Sequence, residues 1–309
     1  MNELVAGIDI GGTNSQIGLV DKEGQILFSE NFSTSSFSTP DELVNEISYK
    51  INQFLNDKKD KFIVKGIGIG APNGNYYTGN IEFAPNLSWK GIVPLSEMFS
   101  KKMNIPALLT NDANAAALGE MIFGAAKNMK NFLFITLGTG LGSGIVVNGE
   151  LVYGHDGFAG EIGHVIMVPN GRKCGCGRNG CLETYCSATA IINTFKEFSD
   201  ITISKPIEAK YVYDRALMGD SAAIKTFEYT GNMLGLALAN SVAYTSPEAI
   251  FLFGGLAQAG DFLFTPTQLS FEKNLLNIYK GKIKLLSSTL KENDAAVLGA
   301  ASLIWSKYK

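Results

Sequence analysis

Basic residues never gather in this chain: 26 Lys and Arg are spread against 29 Asp and Glu, for a net charge of -3. That balance lacks the electrostatic footprint of a nucleic-acid-binding surface, so nucleic acid is not an expected partner. Long apolar runs are missing too. No stretch reaches the roughly 18 to 20 residues needed to span a bilayer. The opening MNELVAGIDIGG has no basic region, apolar core and cleavage site in the order of a signal peptide. A soluble, cytoplasmic protein without a membrane partner is expected. No low-complexity tract or long linker divides the chain. At 309 residues and 46% hydrophobic content it exceeds one ordinary core, which predicts two domains of about 150 residues each.

Histidine occurs twice and cysteine four times, and these scarce residues are not scattered. The segment EIGHVIMVPNGRKCGCGRNGCLE, residues 161–183, holds three of the cysteines and one histidine between two carboxylates, Glu161 and Glu183. Cys174, Cys176 and Cys181 lie within eight residues, and His164 precedes the first by ten. Three sulfurs and one imidazole complete a tetrahedron around Zn2+, and such closed sites are normally structural. A loop held this way can aim Glu161 and Glu183 at a polar substrate. The alternatives are ordinary reduced thiols or a disulfide. A bridge between Cys174 and Cys176 would close a very tight ring, and nothing indicates an oxidising compartment. Cys186 is not needed by the metal scheme and reads as a small buried hydrophobe.

Apolar runs over residues 5–10, 16–20 and 26–32, broken by Gly11-Gly12, predict a strand, a tight glycine turn and further antiparallel strands. Residues 40–55 have helical periodicity, with Leu43, Ile47, Ile51 and Leu55 on one stripe. Residues 64–70 and 107–110 read as buried strands and 113–123 as an alanine-rich helix, so an α/β domain is implied. A similar beginning recurs at 132–136, a strand leading through LGTGLGSG into a strand at 144–147. Two related halves facing each other across a cleft are expected. Further on, 222–244 reads as a long helix, 249–253 as a buried strand and 294–305 as a terminal helix. The domain boundary is expected near 111–114, giving 1–112 plus 294–309 as one domain and 113–293 as the other.

DIGGTN joins the strand-end carboxylate Asp9 to Gly11, Gly12, Thr13 and Asn14. Without Cβ atoms the backbone N–H groups can approach an anion, and the Thr13 hydroxyl can donate to a phosphate oxygen. Asp9 would then lie near the Mg2+ that accompanies ATP, through water. TLGTGLGSG, with Thr136, Gly138, Thr139, Gly140 and Gly142, offers a second such turn, and Gly254-Gly255 a third. None has the Gly-Lys-Ser/Thr ending of a P-loop, and the first two lack the directly following helix of the dinucleotide fingerprint. Each alone could be a plain hairpin turn. Asp112, in Asn111-Asp112-Ala113-Asn114, stands where strand 107–110 meets the next helix. It could be a helix cap. Beside two phosphate turns and a carboxylate-flanked metal loop, it reads better as a base for a sugar hydroxyl attacking a γ-phosphoryl group.

Together DIGGTN, GAPN, PNLSW, NDANAAALGE, TLGTGLGSG, GEIGH, CGCGRNGCLE and FGG follow the order of the ROK family of sugar kinases and sugar-responsive repressors, which this chain resembles over essentially its whole length. The resemblance implies two actin-like ATPase (ribonuclease H-like) domains closing over a hexose and ATP. It implies that Asp112 is the catalytic base and Asn111 a neighbouring sugar contact. Glu161, His164 and Glu183 would read hydroxyls near the anomeric end, with Gly70 and Asn86 as further sugar-wall positions. His164, Cys174, Cys176 and Cys181 would ligate zinc, so His164 would serve both metal and sugar. Asp9, Gly11, Gly12, Thr13 and the turn at 138–142 would hold the nucleotide phosphates. No core motif departs from the family's pattern. The family's repressors carry a helix-turn-helix ahead of the first glycine motif, and with that motif starting at Asp9 an enzyme is expected instead. Phosphorylation of the 6-hydroxyl of glucose is foremost. N-acetylglucosamine, N-acetylmannosamine, mannose, fructose or allose are alternative substrates, and a non-catalytic sugar sensor or an actin-like ATPase without a sugar are rival classes. A homodimer is the expected assembly.

Overall fold

The computed structural model describes residues 1–58, 61–200 and 206–308. They form two compact units: residues 1–129, 151–159 and 289–309 make the first, and 130–150 with 160–288 the second.

In the first unit, β1 (Asn2–Ile10), β2 (Asn14–Val20) and β3 (Ile26–Ser33) precede α1 (Pro40–Asp57), and β4 (Phe62–Gly70) follows it. Three short strands, β5 (Gly74–Asn75), β6 (Asn80–Glu82) and β7 (Ile92–Val93), lead to α2 (Leu95–Met103), β8 (Ala107–Thr110) and α3 (Asp112–Phe123). The main sheet runs β3-β2-β1-β4-β8. Its first three strands are antiparallel, while β4 lies parallel to β1 and β8 parallel to β4. The period of two in β1 sends Leu4, Ala6, Ile8 and Ile10 into one core and Val5 into another. The first core is covered by α1, whose start is fixed by a capping box between Thr39 and Glu42, with Pro40 in the first turn where its missing N–H is no loss.

The terminal helix α8 has the range Glu292–Trp305. It lies on the opposite face of the sheet, and glycines set how near it comes. A Cβ on Gly68 would overlap the carbonyl oxygen of Ala300, and one on Gly7 that of Val297. The same device joins α3 to α8, since a Cβ on Gly119 would stand 2.9 Å from the Cα of Gly299. With α3 so committed to α8, the boundary expected at 112–113 differs from the observed division, and the first unit runs on to Met129. Residues 151–159 also belong to this unit. Tyr153 stacks on Tyr76 at 4.1 Å and 6°, and Asn75 Nδ2 donates to the Asp156 carbonyl at 2.8 Å.

The second unit repeats the strand order with β9 (Phe132–Leu137), β10 (Leu141–Val147), β11 (Glu150–Leu151), β12 (Ala249–Phe253) and β13 (Lys284–Ser287), arranged β11-β10-β9-β12-β13. Again the first hairpin is antiparallel and the later strands join in parallel. Its helices are α4 (Ala188–Phe198), α5 (Ala209–Leu217), α6 (Ser221–Thr245) and α7 (Asp261–Asn274). Gly231 and Gly235 of α6 admit α7, as a Cβ on Gly231 would come within 2.6 Å of the Pro266 ring. The repeat expected from the two glycine turns is thus a repeat of topology. Among the described residues, no helix is long and apolar enough to cross a membrane.

Candidate functional site

In the first unit, Asp9, Gly70 and Thr110 stand side by side where β1, β4 and β8 end, Asp9 in register with Gly70 and Gly70 with Thr110. The chain turns from Thr110 through Asn111 into α3. Asn111 caps that helix, its Oδ1 accepting from the Asn114 amide at 2.7 Å. The capping role open to Asp112 is therefore filled by its neighbour, and Asp112 opens the helix with Oδ1 accepting from the Ala113 amide at 2.8 Å. Gly70 lies between the two residues: a Cβ there would be at ordinary contact distance, 3.5 Å from Asp9 Oδ1 and 3.7 Å from the Cα of Asp112.

Burial pushes the Asp9 carboxyl up to about 7, and the nearby Asp112 charge adds to the rise. Asp112 is raised as well, by burial first, with the Ala113 N–H working against it. Its side chain still opens to solvent, which moderates that rise. The turn between β1 and β2 is closed by Gly11 N–H donating to the Asn14 carbonyl at 2.9 Å and braced by Thr34, whose Oγ1 donates to the Gly11 carbonyl and whose N–H donates to that of Thr13. Gly12, Thr13 and Asn14 remain exposed. Asn86 packs on this turn, since a Cβ on Gly12 would lie 2.7 Å from the Asn86 carbonyl oxygen.

In the second unit, Gly138 N–H donates to the Gly140 carbonyl at 3.0 Å, and Gly142 N–H to Thr136 Oγ1 at 3.1 Å, closing the turn between β9 and β10. Thr139 is exposed at its tip. Gly254, at φ 101°, lies against the Leu137 carbonyl beside the turn, and Gly255 opens a short 3-10 helix. Glu183 meets the same turn, its Oε2 accepting from the Leu141 amide at 2.9 Å. The hydroxyl-reading role expected of Glu183 is thus joined by a backbone bond inside its own unit.

His164, Cys174, Cys176 and Cys181 come together with one ligand atom from each within 4.8 Å of the others. Cys174 Sγ lies 3.6 Å from His164 Nδ1, and Cys176 Sγ 3.6 Å from Cys181 Sγ. Zn–S bonds of about 2.3 Å place tetrahedral sulfurs roughly 3.8 Å apart, so the donor set and its spacing fit that ion. All four cysteines are free thiols. The Arg178 backbone N–H draws the Cys176 thiol down to about 6, whereas burial pushes Cys174 up to about 12 and raises Cys181. Crowded thiols of this kind deprotonate together when a cation binds among them. His164 offers the cluster Nδ1 and turns Nε2 toward Glu161 Oε2, 3.9 Å away. A carboxylate behind a ligating imidazole orients the ring. Cys186 lies fully buried, donating to the Thr230 carbonyl at 3.5 Å.

Arg172 carries no sequence signal, yet it ties the Cys/His loop to α4. It bonds the Thr184 carbonyl at 2.8 Å, Thr194 Oγ1 at 2.9 Å and Glu197 at 2.7 Å, and its guanidinium lies over the Tyr185 ring. Lone loop arginines show no periodicity, and only the fold reveals such a brace.

The ROK family model matches residues 5–307. The chain is 33% identical to a glucokinase of Thermotoga maritima, with 96% of each chain covered. It is 31% identical to a xylose repressor of Bacillus spizizenii, over 96% of this chain and 76% of that one. A ROK family glucokinase of Streptomyces griseus, solved with glucose and AMPPNP, superposes with a TM-score of 0.79 at 32% identity, covering 97% of this chain and 98% of that one. The chain therefore has the two-domain actin-like ATPase fold of these sugar kinases and belongs to the ROK family.

Proposed function

We propose that this chain is an ATP-dependent hexose kinase that phosphorylates the 6-hydroxyl of glucose. The observation that carries the reading is the placement of Asp112 where β8 passes into α3, across Gly70 from Asp9 and relieved of the cap by Asn111. A general base works best with a pKa drawn toward the working pH. Asp112, raised and still reached by solvent, accepts the proton of the 6-hydroxyl as that oxygen attacks the γ-phosphorus and the bond to ADP breaks. Asn111 steadies the sugar beside it, with Gly70 and Asn86 as wall positions.

Asp9 presents a hard oxygen donor suited to hydrated Mg2+, which when bound supplies positive charge against the phosphates, and Thr13 donates its hydroxyl to a phosphate oxygen. The turns at Gly11 to Thr13 and Gly138 to Gly142 cradle those phosphates through the N–H groups not already bonded within the turns, while Gly254 and Gly255 flank the nucleoside. Glu161, His164 Nε2 and Glu183 read the hydroxyls at the sugar's other end. His164 Nδ1, Cys174, Cys176 and Cys181 hold zinc in a structural role. The protein is cytoplasmic and homodimeric in this reading.

Glucose is favoured among hexoses by the likeness to two glucokinases, one of them seen with glucose and AMPPNP. The likeness to a xylose repressor supports a second reading, a sugar sensor without turnover, against which Asp112 and the phosphate turns weigh. A coupled ADP-release assay with MgATP, across hexoses and N-acetylhexosamines, separates them. Turnover on glucose above all other sugars is expected. Preference for another sugar would move the substrate and keep the mechanism, whereas sugar binding without ADP release would replace the kinase with a sensor.

A further inference from the structure

The chain leaving the Cys/His cluster is the seat of the second glycine turn. Glu183 follows Cys181 by two residues, and its carboxylate faces both ways: Oε2 accepts from the Leu141 amide at 2.9 Å, and Oε1 lies 3.8 Å from Cys174 Sγ. Gly140 is what admits it, because a Cβ there would overlap Oε2. A few residues on, Ala188 N–H donates to the Gly138 carbonyl at 2.8 Å and Thr189 Oγ1 to the Thr139 carbonyl at 3.1 Å. Gly138, Thr139 and Leu141 of the turn are thus pinned by residues 183–189.

We propose that Glu183 and the first turn of α4 form a latch through which occupancy of the Cys/His cluster sets nucleotide affinity at the turn 138–142, an inference that rests on the nucleotide role proposed for that turn. An anion-binding turn works by holding its N–H groups already aligned, so that binding need not order them. Glu183 fixes Leu141, and α4 fixes Gly138 and Thr139. A cation among Cys174, Cys176, Cys181 and His164 fixes the other end of the same segment, since Cys181 stands two residues before Glu183. Removing it loosens the loop that carries Glu183, and the turn loses one anchor of its alignment. Glu183 is in this respect a positioning residue for the nucleotide, besides the sugar role carried over from the family.

Isothermal titration with ADP and no sugar present reads this directly. Glu183→Ala and the wild-type protein stripped by a chelator should each bind ADP about tenfold more weakly, the loss typical of one charge-assisted bond. Glu183→Gln keeps a carbonyl to accept from Leu141 and should stay within about threefold of wild type. Wild-type ADP affinity in either Glu183→Ala or the stripped protein would overturn the latch, even with sugar affinity reduced. If Glu183→Ala does not fold, the stripped wild type and Glu183→Gln still decide. Absence of ADP binding by the metal-loaded wild type would take down the kinase reading together with the latch, whereas a turning-over enzyme with an unchanged Glu183→Ala affinity would remove the latch alone.

Discussion

The two units run their strands in the same order and then fill the space beside them by opposite means. In the first, Gly7 and Gly68 bring the backbone of α8 directly onto the sheet, and Gly119 meets Gly299 where α3 crosses it. In the second, the corresponding central strands β9 and β12 carry Phe132, Leu133, Phe134, Ile135, Ile250 and Phe251, all fully buried, with Phe132 against Phe251 at 5.7 Å. Strand order therefore fixes which elements are neighbours without fixing the distance between layers. Backbone contact suits a place where α3 must begin at a set point beside β4, because no side chain intervenes to relax. The chemistry divides along the same line. Asp9 and Asp112 of the first unit sit where β1 ends and where β8 passes into α3, Asp9 half-buried and Asp112 open to solvent, while the second unit takes its polar groups from the Cys/His loop and a turn.

The largest break in this comparison is expected at Asp112. If phosphoryl-transfer chemistry rests on the strand-end carboxylates, Asp112→Ala lowers kcat by about 10² to 10⁴, the usual loss of a general base. Steady-state kinetics with glucose and MgATP would measure it. Equal turnover in the mutant would remove Asp112 from the mechanism and erase the division of labour between the units.

Packing gives the next test. Gly68→Ala drives a methyl into the Ala300 carbonyl, a backbone atom that cannot swing aside, and should destabilise by about 3 kcal/mol or more. Gly138→Ala, in the turn of the second unit, meets nothing within 4 Å. It should leave stability within about 0.5 kcal/mol while raising the KM for ATP, because that glycine keeps space for a ligand rather than for a helix. Urea unfolding of both variants reads the contrast, and equal losses would show that the two glycines do the same job. Cys176→Ser should release the cluster's metal, counted by elemental analysis. A variant that keeps its metal would contradict the four-ligand site.

Much of this contrast was open to sequence reasoning and some of it was closed. Strand periods, glycine turns and the spacing of His164 and the three cysteines are local, and the structure brings those four side chains together. The commitment of α3 to α8 depends on Gly119 meeting Gly299, far apart in the chain, and neither glycine differs locally from any other helix glycine. The choice between Asn111 and Asp112 as cap turned on one residue's phase at a helix start, where both types are favoured. The sugar role of Glu183 is suggested by a flanking carboxylate, whereas its bond to Leu141 crosses from a loop to a strand and leaves no trace in spacing. The two nitrogens of His164, one for the cluster and one toward Glu161, likewise exist only once the ring is placed.

The smallest expected effect is a difference of sign in how the units answer pH. The folded-state pKa of Asp9 is raised to about 7, so the native protein binds a proton there more tightly than the unfolded chain does. Its favourable contribution is present below the unfolded value near 3.8 and is lost as pH rises through about 7. Glu248 of the second unit behaves oppositely. The N–H groups of Lys130 and Asn131 hold it below its ordinary 4.5, so its contribution is present above that value and is lost as pH falls. In the ligand-free protein, Asp9→Asn should match wild type near pH 4 and gain on it up to pH 7, by about 2 kcal/mol after allowing for partial exposure. Glu248→Gln should instead be weaker than wild type near neutrality and converge with it in acid. Denaturant midpoints at a series of pH values measure both. An Asp9→Asn curve parallel to wild type throughout would mean that Asp9 is solvated like a surface carboxylate, and the first unit would lose the buried charge that distinguishes it from the second.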